Sequence, residues 1–455
     1  MSTISQEISG FISETEPLIE HIEELPPDTV AELYELFSAA SSSATENIAY
    51  IDPELRVKIC DRLDRIVDRI ADFDLLPPEH DRERTHVYTP AVQGYRNWGN
   101  VELLKDKGLV GYMLAKEIDA DAVMFFGTKP EDYPYLSLLP GMEILYNDAS
   151  IGGKEAYFSH LRENFAKMDV LVFHGIYNEA VRYLDEYREL RPDGKVFCGL
   201  DMNSLWMKRV IWDHPDALRF ASQCDVIATS CRFMRDVLNR DKNVGFSCRW
   251  IPNGFFNPAD IKVIADPDIK GNVILTVGRI GTQQKNSMEL LSAFGWIAEE
   301  IPNWRLRFIG TVEPDFQPEI DAFFAERPEL KNRVIFRGAV TDKKELYSEY
   351  ASAKVFALTS RWEGGTPNVY AEALVHGCMF VTSNIDAADD ISNFGELGEK
   401  YEMGNIGALS SALKKVCLQA ERSNVQKHIP KALDYAAKYF DWQRNIKKLA
   451  YMLYN

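Results

Sequence analysis

The chain has 455 residues, and 46% of them are hydrophobic, which is typical of a globular protein large enough for two or three domains. Seven cysteines without a CxxC spacing argue against a disulfide framework or a zinc site. No run of about 18 apolar residues occurs, and no basic flank precedes an apolar N-terminal stretch. The sequence therefore predicts a cytoplasmic protein without a transmembrane segment.

The net charge of −18 is distributed unevenly along the chain. Residues 1–80 contain 18 acidic and 5 basic residues, a balance of −13, which leaves −5 for the other 375 residues. An acidic extension on a near-neutral body lacks the clustered positive charge that nucleic-acid binding requires. We therefore expect no nucleic acid among the partners.

This extension, residues 1–80, is predicted to be helical. Asp28-Thr29 after two prolines resembles a helix start, and a second helical stretch begins near Pro53. Apolar residues at helical spacing favour a packing surface, either against the body or against a second subunit: Leu55, Ile59, Leu63, Ile66 and Ile70. A homo-oligomer or another partner bound through residues 1–80 is thus one alternative.

From residue 86 onwards, strand-like runs alternate with helical segments. One of those segments is predicted as a single helix over 101–118. Alternating units of this kind predict a parallel sheet covered by helices on both faces. The strand-like runs are 86–89, 121–126, 143–146, 169–175, 195–201, 225–230 and 248–254.

A linker-like stretch with Pro, Gly and Asp at 252–272 separates this region from a second alternating region. Two doubly wound, Rossmann-like α/β domains with a cleft between them, over 81–257 and 258–430, explain both regions. In such sheets ligands bind beyond the carboxyl ends of the strands. The later strand-like runs are 272–278, 304–310, 333–338, 354–360 and 379–384.

Several familiar motifs are missing from the strand-end loops. No GxGxxG follows a strand, which argues against a nicotinamide or flavin dehydrogenase, and no GxxxxGK[ST] phosphate loop occurs. HExxH and GxSxG are also absent, so the sequence gives no support to a zincin or an α/β-hydrolase.

The loop LTVGRIGTQQKN (275–286) carries two cations at a strand end. Gly278 ends the strand, Arg279 follows it, and Lys285 precedes a helix that begins near Asn286. A guanidinium fork, an ammonium and the N–H groups of a helix start can share the charge of a diphosphate. Such cations are also common on surfaces, so the second loop matters to the interpretation.

The second loop, SRWEGGTPNVYAEAL (360–374), joins a strand end to a helix. Thr366 is predicted as N-cap, Pro367 as the first helical residue, and Gly377 as the residue after the helix end. Gly364 and Gly365 allow the backbone to approach a ligand closely.

Two carboxylates flank this turn. Glu363 lies ahead of the helix and Glu372 near its second turn. Carboxylates can accept hydrogen bonds from hydroxyls, and a helix N-terminus can bind an anion. A nucleotide-sugar offers both kinds of group.

These loops resemble those of the retaining glycosyltransferases of family 4, which have the GT-B fold and a motif of two glutamates. The resemblance is specific over about 252–384, weak over 86–251 and absent from 1–80. The matching stretches are LTVGRIGTQQKN (275–286), RLRFIG (305–310), residues 338–377 and, more faintly, 225–238 and IPNG (251–254).

The resemblance implies roles for residues of the second domain. Arg279 and Lys285 would bind the donor diphosphate and stabilise the leaving nucleotide, and no metal ion or other cofactor is expected. Glu363 would face the transferred sugar, and Glu372 would bind the ribose. The remaining implied donor-binding residues are Gly278, Gly364, Gly365, Thr366, Asn368 and Val369.

Two departures from the family pattern are visible. Eight residues separate Glu363 from Glu372, where family members usually have seven, and the extra residue falls in Gly364-Gly365-Thr366. Many members carry a histidine after the fifth strand of the first domain, whereas this chain has Asp201 at about that position. His174, after an earlier strand, is a second candidate, although a lone histidine at a strand end is as often structural.

The resemblance places the acceptor in the first domain and a final helix, residues 431–455, crossing back to it. The sequence does not distinguish a saccharide from a protein acceptor. Candidate acceptor-side residues lie in the loop 91–100: Gly94, Tyr95, Arg96 and Asn97.

The resemblance thus predicts transfer of a hexosyl unit, with retention, from a nucleotide-sugar such as a UDP-sugar. Two alternatives remain open. One is a phosphorylase or a sucrose- or trehalose-type synthase on the same fold, and the other is a non-catalytic glycosyltransferase-like binding subunit.

Overall fold

A computed structural model describes residues 3–73, 85–91, 99–126, 133–146, 155–258 and 260–455. The chain divides into two compact units. The first unit is Met1–Pro252 together with Trp442–Asn455, and the second is Asn253–Asp441. The boundaries predicted from the sequence lie at 257 and 430, five residues after the first observed boundary and eleven before the second.

The first unit contains a seven-stranded parallel sheet in the order β3-β2-β1-β4-β5-β6-β7. The seven predicted strands all form, because Val, Phe, Ile and Leu runs buried on both faces suit a covered parallel sheet. The strand order reverses between β1 and β4. The strands are β1 His86–Pro90, β2 Asp121–Phe126, β3 Met142–Tyr146, β4 Met168–His174, β5 Lys195–Leu200, β6 Val226–Thr229 and β7 Cys248–Trp250.

Helices cover this sheet and form the N-terminal extension. The helix predicted over 101–118 is interrupted, because a 3₁₀ turn at Asn100–Leu104 precedes α4. Gly108 permits this junction, since a Cβ there would lie 2.3 Å from the Leu103 carbonyl oxygen. The helices are α1 Thr3–Glu20, α2 Pro27–Glu46, α3 Pro53–Ile70, α4 Asp106–Glu117, α5 Glu155–Asn164, α6 Asn178–Leu190, α7 Ser204–Met207, α8 Pro215–Ser222, α9 Arg232–Arg240 and α17 Trp442–Tyr454.

The acidic extension packs against the body of the first unit. The apolar stripe of α3, from Leu55 to Ile70, is buried, and α3 contacts α9, β7 and α17. The Asp64 carboxylate, itself buried, accepts from Arg235 at 2.7 Å and from Arg249 at 3.1 Å. Arg56 of the same helix donates to the carbonyl oxygens of Val244 and Phe246 at 3.1 and 2.8 Å. The extension is therefore part of the core of this unit.

The second unit contains a six-stranded parallel sheet in the order β10-β9-β8-β11-β12-β13. The order reverses between β8 and β11, which are hydrogen-bonded neighbours although about 80 residues apart in the chain. Five of the strands match the predicted runs, and β13 is an addition. The strands are β8 Gly271–Val277, β9 Arg305–Ile309, β10 Val334–Phe336, β11 Ala353–Leu358, β12 Met379–Ser383 and β13 Gly398–Tyr401.

The helices of the second unit pack their apolar faces onto this sheet. Residues of α10 and α15 supply much of the core, with Leu290, Phe294, Leu409 and Leu413 fully buried. The helices are α10 Ser287–Ile297, α11 Gln317–Glu326, α12 Lys343–Ser352, α13 Asn368–Val375, α14 Ala388–Ser392, α15 Ile406–Gln419 and α16 Arg422–Tyr439.

None of the seven cysteines, all of which lie in the described ranges, forms a disulfide, and six of them are buried. Within the described ranges, no helix combines the length and the apolar character needed to cross a bilayer.

Candidate active site

The two loops singled out from the sequence begin at the carboxyl ends of β8 and β11, the neighbouring strands at which the sheet order reverses. Ligands in doubly wound sheets bind at such a reversal. The backbone is tightly packed here, because a Cβ on Gly310 would lie 1.7 Å from the carbonyl oxygen of Gly278. A small pocket at this edge is lined by residues of both loops, among them Gly278, Arg279, Lys285 and Ser360.

Glu363 and Lys285 form an ion pair across the two loops. The Lys285 Nζ lies 2.5 Å from Glu363 Oε1, and the Ser360 hydroxyl donates to the same oxygen at 2.5 Å. Gln284 Nε2 donates to the other oxygen, Oε2, at 3.2 Å. Both carboxylate oxygens are thus held by donors, and charge-assisted bonds of this kind fix the orientation of the side chain.

Arg279 belongs to the same network through Gln284. Its guanidinium donates to Gln284 Oε1 at 2.7 Å, while the side chain itself is exposed. The structure therefore brings Arg279, Lys285 and Glu363 together. The Gln284 side chain links the Arg279 guanidinium to the Glu363 carboxylate.

The helix after the glycine turn, α13, begins one residue later than predicted. Pro367 has φ −66° and ψ 137°, an extended conformation, and is the N-cap, whereas Thr366 was predicted to cap the helix. Thr366 is buried, and its carbonyl oxygen accepts from Asn253 Nδ2 at 3.0 Å, which holds the chain in place just before the helix. Asn368 and Val369 are then the first helical residues. Gly377, with φ +68°, follows the C-cap as predicted.

The turn itself contains Gly364 and Gly365. Gly365 has φ +128°, a backbone conformation that favours glycine, so a residue with a side chain would be strained there.

Glu372 lies on the first two turns of α13 in a second network. Lys343 Nζ, from α12, lies 2.7 Å from Glu372 Oε1, and the Tyr350 hydroxyl donates to Oε2 at 2.9 Å. Burial, together with the nearby Glu372 carboxylate, raises the pKa of Tyr350 well above its ordinary value, so the phenol stays a donor. The His376 ring contacts the backbone carbonyl of Glu372 through Nδ1 at 2.6 Å.

Two predicted residues lie at the carboxyl edge of the first-unit sheet. His174 ends β4 and is buried, with its Nδ1 4.0 Å from a carboxylate oxygen of Asp106. Burial lowers the pKa of His174 to about 4, so the ring is neutral at pH 7. Asp201 follows the neighbouring strand β5 and is exposed. The acceptor-side residues Gly94, Tyr95, Arg96 and Asn97 lie outside the described residues.

Four residues of the two networks were not among the predicted ones: Gln284, Ser360, Lys343 and Tyr350. Gln284 directly precedes Lys285 in the loop after β8, and Ser360 lies just beyond the end of β11, so their place in the two loops is a signal that the sequence offers. Lys343 and Tyr350 lie on α12, and only the packing of α12 beside α13 brings them to Glu372.

The family model described as Glycosyl transferases group 1 matches residues 271–418, about a third of the chain. No curated protein matches the chain by sequence.

Several solved structures, glycosyltransferases among them, share the fold. A glycosyltransferase from Rickettsia africae is 14% identical with a TM-score of 0.60, covering 83% of this chain and all of that one. HepE from Anabaena, solved in complex with UDP, is 15% identical with a TM-score of 0.58, covering 81% of this chain and 99% of its own. Sucrose-phosphate synthase from Thermosynechococcus elongatus is 16% identical with a TM-score of 0.57, and the match covers 80% of this chain and 97% of that one.

The match over residues 271–418 contains both site loops, and two parallel sheets of the Rossmann type agree with the fold of these neighbours. The chain is therefore a glycosyltransferase with the GT-B fold, and its group 1 domain carries the network around Lys285 and Glu363.

Proposed function

We propose that this enzyme is a retaining glycosyltransferase of family 4 that moves a hexosyl unit from a nucleotide-sugar, a UDP-sugar, to a hydroxyl of a saccharide or protein acceptor. The observation that carries the proposal is the pairing of Lys285 with Glu363 at 2.5 Å, at the strand ends where the sheet order reverses. That HepE was solved with UDP supports a uridine nucleotide as the donor.

The charges of the site suit a departing nucleoside diphosphate. Arg279 and Lys285 supply two cations, and the N–H groups of Asn368 and Val369 lie at the positive end of α13. Fixed positive groups that meet charge as it develops lower the barrier to bond cleavage. In this proposal they stabilise the leaving diphosphate, and no metal ion is required.

In this proposal Glu363 supplies negative charge on the sugar side of the bond that breaks. When the nucleotide leaves, positive charge develops on the sugar, and a carboxylate held by three donors stays oriented towards it. Gly278, Gly364, Gly365 and Thr366 contribute backbone to the donor site in this proposal.

The first unit would take the acceptor. Asp201 and His174 lie at the carboxyl ends of neighbouring strands, where ligands of such sheets bind. The neutral His174 ring can donate or accept one hydrogen bond, and Asp201 can accept from a hydroxyl. A cytoplasmic location belongs to the same proposal.

The test is nucleotide release from UDP-glucose, UDP-N-acetylglucosamine and GDP-mannose in turn, with the wild type and Glu363→Ala. We expect one UDP-sugar to be turned over and Glu363→Ala to lose at least about 100-fold in kcat. Glu299→Ala, at an exposed position of the same unit, is the matched control and should keep wild-type kcat.

Other outcomes separate the alternatives. Turnover that requires inorganic phosphate or a free sugar as cosubstrate would indicate a phosphorylase or a synthase, and sucrose-phosphate synthase is among the neighbours of similar fold. Nucleotide binding without turnover of any donor would contradict the proposal and favour a binding subunit.

A further inference from the structure

The side chain of Gln284 connects the two catalytic loops through three hydrogen bonds. Its Nε2 donates to Glu363 Oε2 at 3.2 Å and to the Trp362 carbonyl oxygen at 3.1 Å. Its Oε1 accepts from the Arg279 guanidinium at 2.7 Å. We propose that Gln284 is a positioning residue, which fixes the Glu363 carboxylate and the Arg279 guanidinium relative to each other for glycosyl transfer. This inference rests on the function proposed above.

The chemistry of the three contacts requires an amide in one orientation. Reversing it would place the amide oxygen against the Glu363 carboxylate and the NH₂ group against the guanidinium, and both contacts would be repulsive. A carboxylate in place of the amide could accept from Arg279, but it could not donate to Glu363 or to the Trp362 carbonyl. A cationic side chain would repel Arg279.

Because the Gln284 amide is neutral, it orients Arg279 without compensating the charge of the guanidinium. Glu363 pairs with Lys285, whereas Arg279 bonds to an uncharged oxygen. A guanidinium held in this way keeps its full positive charge and its other N–H groups for an anion such as a diphosphate.

The loops remain joined without the side chain. The backbone N–H of Arg361 donates to the Gln284 carbonyl oxygen at 2.8 Å, and the Thr359 hydroxyl donates to the Lys285 carbonyl at 3.1 Å. Truncation at position 284 therefore removes the orientation of Glu363 and Arg279 while the backbone contacts between the loops persist.

The experiment compares Gln284→Ala and Gln284→Glu with the same two substitutions at Gln283. Gln283 is the preceding residue and is exposed, so its variants reproduce each change of charge and size one position away. Steady-state kinetics are measured with the UDP-sugar that the wild type turns over, and thermal unfolding is measured on every variant.

We expect kcat to fall about 10-fold to 100-fold in Gln284→Ala, because displacement of a reacting group by about 1 Å has effects of this size. The donor KM should change less than kcat does. The glutamate of Gln284→Glu has nearly the same shape as glutamine but cannot donate from its second oxygen. If Gln284 only filled space, this variant would keep wild-type kcat, whereas loss of the two Nε2 hydrogen bonds should lower kcat. We expect its kcat to be at least as low, with unfolding temperatures close to wild type and Gln283 variants fully active.

Wild-type kcat in Gln284→Glu would overturn the inference, as would equal losses in the variants of both glutamines, and in either case the proposed function would stand. A wild-type enzyme that turns over no donor would instead overturn the proposed function and this inference with it.

Discussion

At the residue scale, the site consists of two carboxylates that are held in different ways. Glu363 is bound by side chains of its own loop and of the loop after β8, whereas Glu372 is bound by Lys343 and Tyr350 of α12. Each carboxylate therefore has at least two donors before any substrate is considered. A substrate hydroxyl that binds either of them meets an oriented acceptor.

Lys343 is expected to matter for donor binding. In Lys343→Ala, Glu372 loses the ammonium 2.7 Å from Oε1 and keeps the Tyr350 hydroxyl. If Glu372 binds the ribose as proposed, the donor KM should rise about threefold to tenfold with a smaller change in kcat. Lys344→Ala is the control, because Lys344 is the next residue and is exposed. Equal kinetics for the two variants would contradict the role of Lys343.

His376 should make the stability of the second unit depend on pH. Its buried ring packs against Tyr347 and Tyr350, and burial lowers its pKa to about 4, with Glu372 and Lys270 as the charged neighbours. His376 binds a proton near pH 6.5 in the unfolded chain and only near pH 4 in the folded chain. The contribution of the neutral His376 to the free energy of unfolding is therefore fully present above pH 6.5. The free energy of unfolding falls by up to about 3 kcal/mol as the pH drops towards 4.

The measurement is urea unfolding of the wild type and of His376→Asn at pH 7 and pH 4.5. Asn can replace the Nδ1 donor to the Glu372 carbonyl, but it does not titrate. The wild type should exceed the variant in stability by more at pH 7 than at pH 4.5. A difference that is independent of pH would show that His376 is not the titrating group.

At the element scale, the site depends on how closely β8 and β9 approach each other at their carboxyl ends. The Gly310 N–H donates to the Gly338 carbonyl, and Gly310 itself lies against the Gly278 carbonyl. This contact sets the path of the chain as it leaves β8 towards Arg279. The sheet thus positions the cationic loop through a contact between two glycines.

Gly310→Ala should destabilise the second unit by at least about 2 kcal/mol, because the new Cβ would lie 1.7 Å from a backbone oxygen and φ there is +140°. Gly271→Ala, in the same sheet, meets its nearest atom at an ordinary 3.7 Å and should change stability by less than about 1 kcal/mol. Chemical denaturation of both variants tests the difference. Similar losses would contradict the steric argument.

At the scale of the whole molecule, the acidic extension is built into the first unit. Asp64 of α3 bonds to two arginines of the body, Arg235 and Arg249, and all three side chains are buried. Asp68, which like Asp64 belongs to α3, lies 2.5 Å from the buried Nζ of Lys448 on α17. The acidic extension and the last helix, α17, therefore pack together in one unit, and α3 is the element of the extension that contacts α17.

Asp64→Asn should destabilise the first unit by about 3 to 5 kcal/mol, because it leaves two buried guanidinium groups without their shared carboxylate. Asp213→Asn, at an exposed position of the same unit, should be within about 0.5 kcal/mol of wild type. Urea unfolding monitored by tryptophan fluorescence distinguishes the two. Equal stabilities would show that the Asp64 carboxylate does not contribute to holding the extension on the body.

Local sequence patterns predict most of the secondary structure and the kind of ligand that the second unit binds. Apolar runs bounded by Gly, Pro and Asp predicted twelve of the thirteen strands in the described part of the chain. The cations and carboxylates of the two loops, Arg279, Lys285, Glu363 and Glu372, pointed to a nucleotide-sugar. These signals are local, because helix and strand periodicity and turn chemistry act over a few residues. Two boundaries differ from the prediction. Asn253, which is distant in sequence, binds the Thr366 carbonyl just before α13, and the predicted helix over 101–118 is interrupted where the chain at Gly108 packs closely on the Leu103 carbonyl.

Which side chains meet depends on how the sheet and the helices assemble. Strand pairing of β8 with β11 places Gln284 against Glu363, which is 79 residues away, and the packing of α12 beside α13 places Lys343 against Glu372. The tertiary structure also decided that the acidic extension packs on the body, where the sequence left a second subunit as an alternative. The physical reason is that burial and strand pairing bring together residues that share no local pattern, so their contacts become visible only when the sheet is assembled.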